Sequence, residues 1–329
     1  MMKKKIFAII IICLSVLPAG AQDYLLSQPW RAPITIAPSF AGINKSGRVF
    51  TTYRNQYSSV QASQTILAGY DQYFHPIRSS FGGLITYNTY AGGSLSQVSF
   101  DVQYNYLVQM SREWYFRPGL QIGVFYRMLD ASRLLFIDQI NLDGQIVSST
   151  SFQAAQTSLF RFDAAVSLLF YNKYVMFGVN AGHLLGNNIS FTDQPETVNP
   201  IKLTGTVVGV IPIKKGRSRY APQDDVTIAA LYQWQGQYHQ IDFDVMYHRQ
   251  YFMAGIGYRG IPFYSPEVGF TNNDAVKFMV GGSYAGFSLS YSYDLGLSSL
   301  MTVSGGSHEI VLSYDFAQKR ENHPSFFCY

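Results

Sequence analysis

An all-β chain closed into a single transmembrane antiparallel up-and-down β-barrel of about fourteen strands is the fold that three features of the sequence predict. Apolar and polar residues alternate with period two in segment after segment, charged residues make up only 13% of the chain, and its 329 residues include 25 Tyr and 24 Phe. Period two is the signature of a strand with two unlike faces. An ordinary soluble domain carries roughly 25% charged residues, so the scarcity of charge argues that the outward faces meet lipid rather than water. The aromatic content excludes a disordered chain, and a formal net charge of +4 without a basic run in the mature part gives no surface for nucleic acid.

The first element is a secretory signal peptide over residues 1–21. Lys3, Lys4 and Lys5 precede an apolar run over 6–17, and Ala19, Gly20 and Ala21 supply the small residues that a signal peptidase reads before Gln22. The run is shorter than the ~20 residues a spanning helix needs. Cys13 lies inside it, so cleavage leaves Cys328 as the only thiol and no internal disulfide is expected. Residues 22–46 then form an N-terminal segment, periplasmic or plugging the lumen. Residues 47–316 form the barrel, and 317–329 a C-terminal tail.

Inside the barrel region, residues 98–108 place Val98, Phe100, Val102, Tyr104, Tyr106 and Val108 on one face, with Ser99, Asp101, Gln103 and Asn105 on the other. The next segment sets Leu120, Ile122, Val124, Tyr126 and Met128 against Arg117, Gly119, Gln121, Gly123 and Arg127. Twelve more such segments lie near 47–54, 64–74, 81–90, 160–170, 175–184, 202–213, 225–235, 240–248, 251–259, 274–285, 287–295 and 308–316. The total of fourteen is even, as in bacterial single-chain outer-membrane barrels. No later stretch holds ~18 consecutive apolar residues, so spanning helices are not expected.

Connection lengths alternate with strand parity. Long connections at 129–159, 185–201, 260–273 and 296–307 follow odd-numbered strands, and short ones at 110–113, 171–174, 249–250 and Gly286 follow even-numbered strands. Longer extracellular loops and short periplasmic turns give this pattern when the N-terminus is periplasmic. The connection after the eighth strand, with Lys214, Lys215, Arg217 and Arg219, is longer than the rule prefers. Trp114, Tyr115, Tyr171, Tyr174, Tyr232, Trp234, Tyr251 and Phe252 fall at segment ends, where interfacial aromatic girdles belong.

In hydrocarbon every backbone polar group must be paired within the protein, so strands span only as a closed barrel. The polar faces then line a lumen. Asp101, Asn105, Gln121, Asp163, Asp242 and Asp244 are assigned to it, in a polar lattice neutralised by Arg117, Arg127 and Arg161.

Several short stretches, in order, resemble the PorP/SprF family of the type IX secretion and gliding system of Bacteroidetes, and the likeness covers essentially the whole mature chain. Gln28-Pro29-Trp30 and Ile36-Ala37-Pro38-Ser39-Phe40-Ala41-Gly42 are similar to the family's NPAFAG stretch, with Ala37 and Ser39 departing from it. Tyr53-Arg54-Asn55-Gln56-Tyr57 resembles YRNQW, with Tyr57 in place of Trp. Tyr70-Asp71-Gln72, Gly82-Gly83-Leu84, the 117–121 strand and Phe136-Ile137-Asp138-Gln139, similar to FGDQ, continue the match. The resemblance implies an outer-membrane component serving export of proteins, including adhesins of the type B C-terminal-domain kind. Its implied partners are outer-membrane lipid, other secretion components and secreted cargo, with no nucleic acid.

No catalytic, metal or cofactor constellation is expected. His183 and Ser167 are the nearest approach to a lipase-like pair, yet no G-x-S-x-G turn accompanies them. The six histidines are scattered, and Asp138, Asn141, Asp143 and Gly144 lack calcium-loop spacing. Three classes stay open: a secretion scaffold, a passive or hydrophobic-solute pore, and a barrel enzyme. Lumen composition does not separate the first two, because the same charges line a pore or hold a plug.

Overall fold

The computed structural model describes residues 23–59, 62–134, 136–139, 156–191, 197–214, 224–261, 272–297 and 305–316. The signal peptide expected over 1–21, the tail 317–329, the basic connection 215–223 and Asn141, Asp143 and Gly144 lie outside the described residues.

Fourteen antiparallel strands follow one another in chain order. They are β1 (Arg48–Gln56), β2 (Ser63–Phe74), β3 (Ser79–Tyr90), β4 (Leu95–Tyr106), β5 (Tyr115–Leu129), β6 (Ser158–Tyr171) and β7 (Val175–Gly182). The second half holds β8 (Lys202–Lys214), β9 (Asp224–Gln235), β10 (Tyr238–Arg249), β11 (Phe252–Ile261), β12 (Asn272–Tyr284), β13 (Phe287–Gly296) and β14 (Ser307–Asp315). A two-residue piece, Val108–Gln109, continues β4 past Leu107 against the same neighbour, β5. Every strand pairs with the next, and β14 pairs with β1 from Arg48↔Asp315 to Asn55↔His308, so the sheet is closed. No edge is left for lipid to desolvate.

Burial alternates along the strands, and the exposed half is apolar. Phe100, Ile122, Phe162 and Val280 stand 47%, 60%, 59% and 56% exposed on the outer face. Arg54, Arg259 and Lys277, on inward positions of the same wall, are buried. This inversion of the soluble pattern makes the protein a membrane β-barrel. Rings gather at the turn ends, as in Tyr251 against Tyr284 at 5.8 Å and Phe287 against Tyr314 at 4.5 Å.

The four longest connections, 130–157, 183–201, 262–271 and 297–306, follow odd-numbered strands, whereas the nine-residue connection 215–223 follows β8, and two odd connections are tight: 91–94 and the two-residue turn Gly236-Gln237. Gly236, at φ +59°, supplies the left-handed residue this turn needs.

The interior is not bare. Residues 23–46 lie within the barrel and fold into three successive 3-10 turns, Pro29–Arg31, Pro33–Thr35 and Pro38–Phe40. Each opens on a proline, whose fixed φ suits the first position and whose missing N–H loses nothing there. Trp30, Ile36, Phe40 and Ile43 pack with inward Leu169, Met176, Leu231, Met246, Met253 and Met279. Leu26, Ala32, Ile34 and Ala41 pack with Phe50, Leu67 and Leu84. The hydrophobic core therefore sits between the segment and the barrel wall.

Candidate functional site: the occupied lumen

The segment is fastened at three places. The first is an ion network on β1 and β10–β14. Arg54 donates to Asp294 at 2.9 Å and to Glu309 at 3.3 Å. Arg259 donates to Asp242 at 2.9 Å and to Asp294 at 3.1 Å, and Lys277 lies 2.8 Å from both Asp242 and Asp244. Register explains the grouping: Asp242 faces Arg259 directly, while Asp244 faces Gly257, over which Lys277 reaches from β12.

Within this network four carboxylates meet three cations, all almost wholly buried. The segment supplies the missing donors. The Ser27 and Gln28 amides donate to Glu309 at 2.6 and 2.9 Å, Ser27 Oγ to Asp294 at 2.6 Å, and Trp30 Nε1 to Asp244 at 2.9 Å. In return Arg54 donates to Ser27 Oγ, and Arg259 to the Leu26 carbonyl at 2.6 Å. A buried carboxylate is tolerated only when its oxygens are satisfied, so wall and segment are electrostatically incomplete without each other.

The second fastening lies on β2–β6. Asn105 donates to the carbonyls of Pro38 and Ala41, at 2.9 Å each, and Arg117 to the Ala41 carbonyl at 2.9 Å and to Ser80 Oγ at 2.6 Å. Asp71 accepts the Gly42 amide at 2.6 Å. Gln103 donates to the Ile34 carbonyl, and Ser167 Oγ accepts the Ser39 amide, both at 2.9 Å. Gly42 has φ +64°, and a Cβ there would strike Ser80 and the Tyr73 backbone.

The third fastening is where the segment begins. His183, just past β7, holds Asp163 by Nδ1 at 2.6 Å and Asp23 by Nε2 at 2.8 Å, and Lys202 donates to Asp23 at 3.1 Å. Burial alone would raise the Asp23 carboxyl, but Lys202 and His183 outweigh it and hold the group well below the usual carboxylate range. Burial alone would lower His183, yet Asp23 and Asp163 push it up to about 10. Both groups are charged at neutral pH. Beside them lies a cavity of about 150 Å³ lined by Tyr24, Asn88, Tyr90, Asp101, Gln121 and Asn180, among others.

The motif residues divide by face. Gln28, Pro38, Phe40, Ala41, Gly42, Arg54 and Asp71 all belong to the fastened interior. Tyr53, Asn55 and Gln72 stand on the outer face, and Gln56 is at the rim. Among the lumen residues, Asp242 and Asp244 come together in the first network, and Asn105 and Arg117 in the second. Gln121 accepts from Gln103 at 2.9 Å.

The expected neutralisation by Arg117, Arg127 and Arg161 is corrected. Arg117 is spent on segment carbonyls, Arg127 on Gln97 at 2.9 and 2.6 Å, and Arg161 on the carbonyls of Asn188 at 3.2 Å and Phe160 at 2.9 Å. The cause is strand position, because these three stand on β5 and β6, separated from β10 by at least three strands, whereas the cations of Asp242 and Asp244 come from neighbouring β11 and from β12. Arg259, Lys277, Asp294 and Glu309 are the members of the network that alternation does not single out, although Lys277 and Asp294 stand between apolar neighbours as Asp242 does.

The sequence model of the family described as type IX secretion system membrane protein PorP/SprF matches residues 19–314. No curated protein matches the chain. Among solved structures it is similar to the Acinetobacter baumannii outer membrane protein Omp33, with 6% identity and a TM-score of 0.46 over 84% of this chain and 100% of that one. It is also similar to KdgM porin, with 6% identity and a TM-score of 0.38 over 82% and 99% of the two chains. A third is CdiB from Acinetobacter baumannii, with 7% identity and a TM-score of 0.44 over 83% and 60%.

Proposed function

Because this chain belongs to the PorP/SprF family of type IX secretion system membrane proteins, we propose that it is an outer-membrane scaffold and not a conduit. It reaches that membrane by Sec export and removal of residues 1–21, and supports export or surface anchoring of cargo proteins such as adhesins, in secretion or gliding. The partners are other secretion components and the cargo, met by the loops and the periplasmic side.

One observation carries this reading: residues 23–46 occupy the lumen and satisfy buried charges on its wall. A passage would have to break those bonds. The work then falls to the rims, and the long connection 130–157 is the leading surface for cargo. The protein acts by contact rather than by bond making, since Ser167 Oγ accepts the Ser39 amide and both His183 nitrogens are taken by carboxylates.

Affinity purification in mild detergent, followed by identification of copurifying proteins, tests the reading. Secretion components or exported proteins should be recovered, and fewer exported proteins once 130–157 is shortened. Recovery of neither from correctly assembled barrel would overturn it.

A further inference from the structure

We propose that the short-turn rim of the barrel is a binding surface for anionic phospholipid headgroups. The inference goes beyond the secretion reading and does not depend on it.

Charge on the outside of the described barrel is one-sided. Among the described residues, the exposed Arg and Lys side chains are Arg78, Arg112, Arg133, Lys173 and Arg249. Arg133 stands just past β5, at the long-connection rim, and is paired with Asp130 at 3.0 Å. The other four stand at the opposite rim, Arg78 after β2, Arg112 after β4, Lys173 after β6 and Arg249 at the end of β10. Three of these turns close the consecutive hairpins β2–β3, β4–β5 and β6–β7, so their cations form one arc. None of the four pairs with a carboxylate among the described residues, where Glu113 is the one exposed acid on these turns.

Depth favours lipid over a protein docking from the periplasm. Each cation lies within two residues of exposed hydrophobic side chains: Ile77 for Arg78, Met110 and Trp114 for Arg112, Tyr174 for Lys173, and Tyr247 and Tyr251 for Arg249. These side chains end the apolar outer wall, so the cations stand where hydrocarbon gives way to phosphate. Lys173 Nζ lies 4.7 Å from the Tyr174 ring centroid, which holds the ammonium at the level of the aromatic girdle. Arg249 continues the outward side of β10 after Phe243 and Tyr247, so it leaves the wall on the lipid-facing side. Long Arg and Lys stems lie along apolar surface while their charged heads reach the headgroups, and each such head attracts anionic lipid.

Electron spin resonance on the full chain in phosphatidylcholine vesicles tests this, with spin-labelled phosphatidylglycerol or phosphatidylcholine as the probe. Heat-modifiable gel migration establishes that each variant is a folded barrel. At low salt the protein-bound fraction should favour phosphatidylglycerol by ~2–5-fold. The preference should fade at 1 M NaCl, where the screening length is ~3 Å. Arg78→Ala, Arg112→Ala, Lys173→Ala and Arg249→Ala combined should remove most of it. The combination Arg78→Lys, Arg112→Lys and Arg249→Lys, which keeps the charge, should retain it, as should Arg133→Ala at the other rim. Equal binding of the two probes by folded wild-type protein at low salt would overturn the proposal, whether or not the alanine variant assembles, and loss of a copurifying acidic protein from that variant would then assign the rim to a protein partner. A preference that survives in the folded alanine variant would overturn it as well, because the anionic lipid then sits elsewhere.

Discussion

Arg54 ties the barrel's first strand, its last two strands and the N-terminal segment together through one guanidinium that is 2% exposed. Arg54→Ala would leave Asp294 and Glu309 short of a cation they already share, and removing one partner from a buried pair costs about 3–5 kcal/mol. Thermal unfolding in detergent should register this as a clear drop in Tm. Arg133→Ala is the matching control, because Arg133 and Asp130 are largely exposed and water replaces the pair, so Tm should hold. His183 gives a pH signature of its own. Its pKa rises from 6.5 to about 10 in the folded chain, so its contribution is complete below 6.5, shrinks above that, and is lost as pH passes about 10. Asp23, Asp163 and Asp101 face it as acids and Lys202 as a neighbouring cation. Hydrogen-exchange protection at residues 24–28, corrected for intrinsic rates, should therefore fall across that alkaline window in wild type. In His183→Gln the fall should be smaller, leaving only what Lys202 contributes.

At the scale of elements, the strands were legible because every one repeats the same physical demand: a side chain in lipid, then one enclosed. Phe100, halfway along β4, tests the demand directly. Phe100→Arg should cost about 2–4 kcal/mol if the site is near the midplane of a bilayer, read from urea unfolding in lipid vesicles. Full stability would mean that this face does not meet hydrocarbon. Strand number, most strand limits and the inward side of Asp242 and Asp244 followed from alternation alone. Their cations did not, because alternation fixes a residue's face and not its height, and height comes from a register that only the closed sheet displays. The N-terminal segment was harder still. Pro29, Pro33 and Pro38 were visible as prolines, but their 3-10 turns matter only against walls more than a hundred residues away, such as Ser167, Asp244 and Glu309. The motif residues Gly42, Arg54 and Asp71 turned out to be fasteners of that segment. Gly42→Ala tests this, as the left-handed backbone costs an alanine about 1–2 kcal/mol before any clash with Ser80. Trypsin should then cut after Arg31 faster than in wild type, with barrel migration on gels unchanged.

The whole molecule poses a question of size. Barrels of about eight strands are filled by their own side chains, whereas those of 16–18 strands hold an aqueous channel. Fourteen strands fall between, so wall side chains alone would leave a wet hole, and residues 23–46 take that space. The charge balance points the same way, since the first network has one more carboxylate than cations and leans on segment amides to satisfy it. Two consequences separate a filled scaffold from a pore. The full chain in planar bilayers should show no steady open-channel current at neutral pH. Deleting 23–46 should yield stable conductance together with a lower Tm, because it removes the segment's share of the core and strips donors from Asp244, Asp294 and Glu309. If the deletion fails to assemble, Gly42→Ala combined with His183→Gln keeps the sequence in place while loosening both ends of the segment. Intermittent openings, absent from wild type, should then appear. A steady current from the intact chain would mean that the segment does not seal the lumen, and the scaffold reading would give way to a pore.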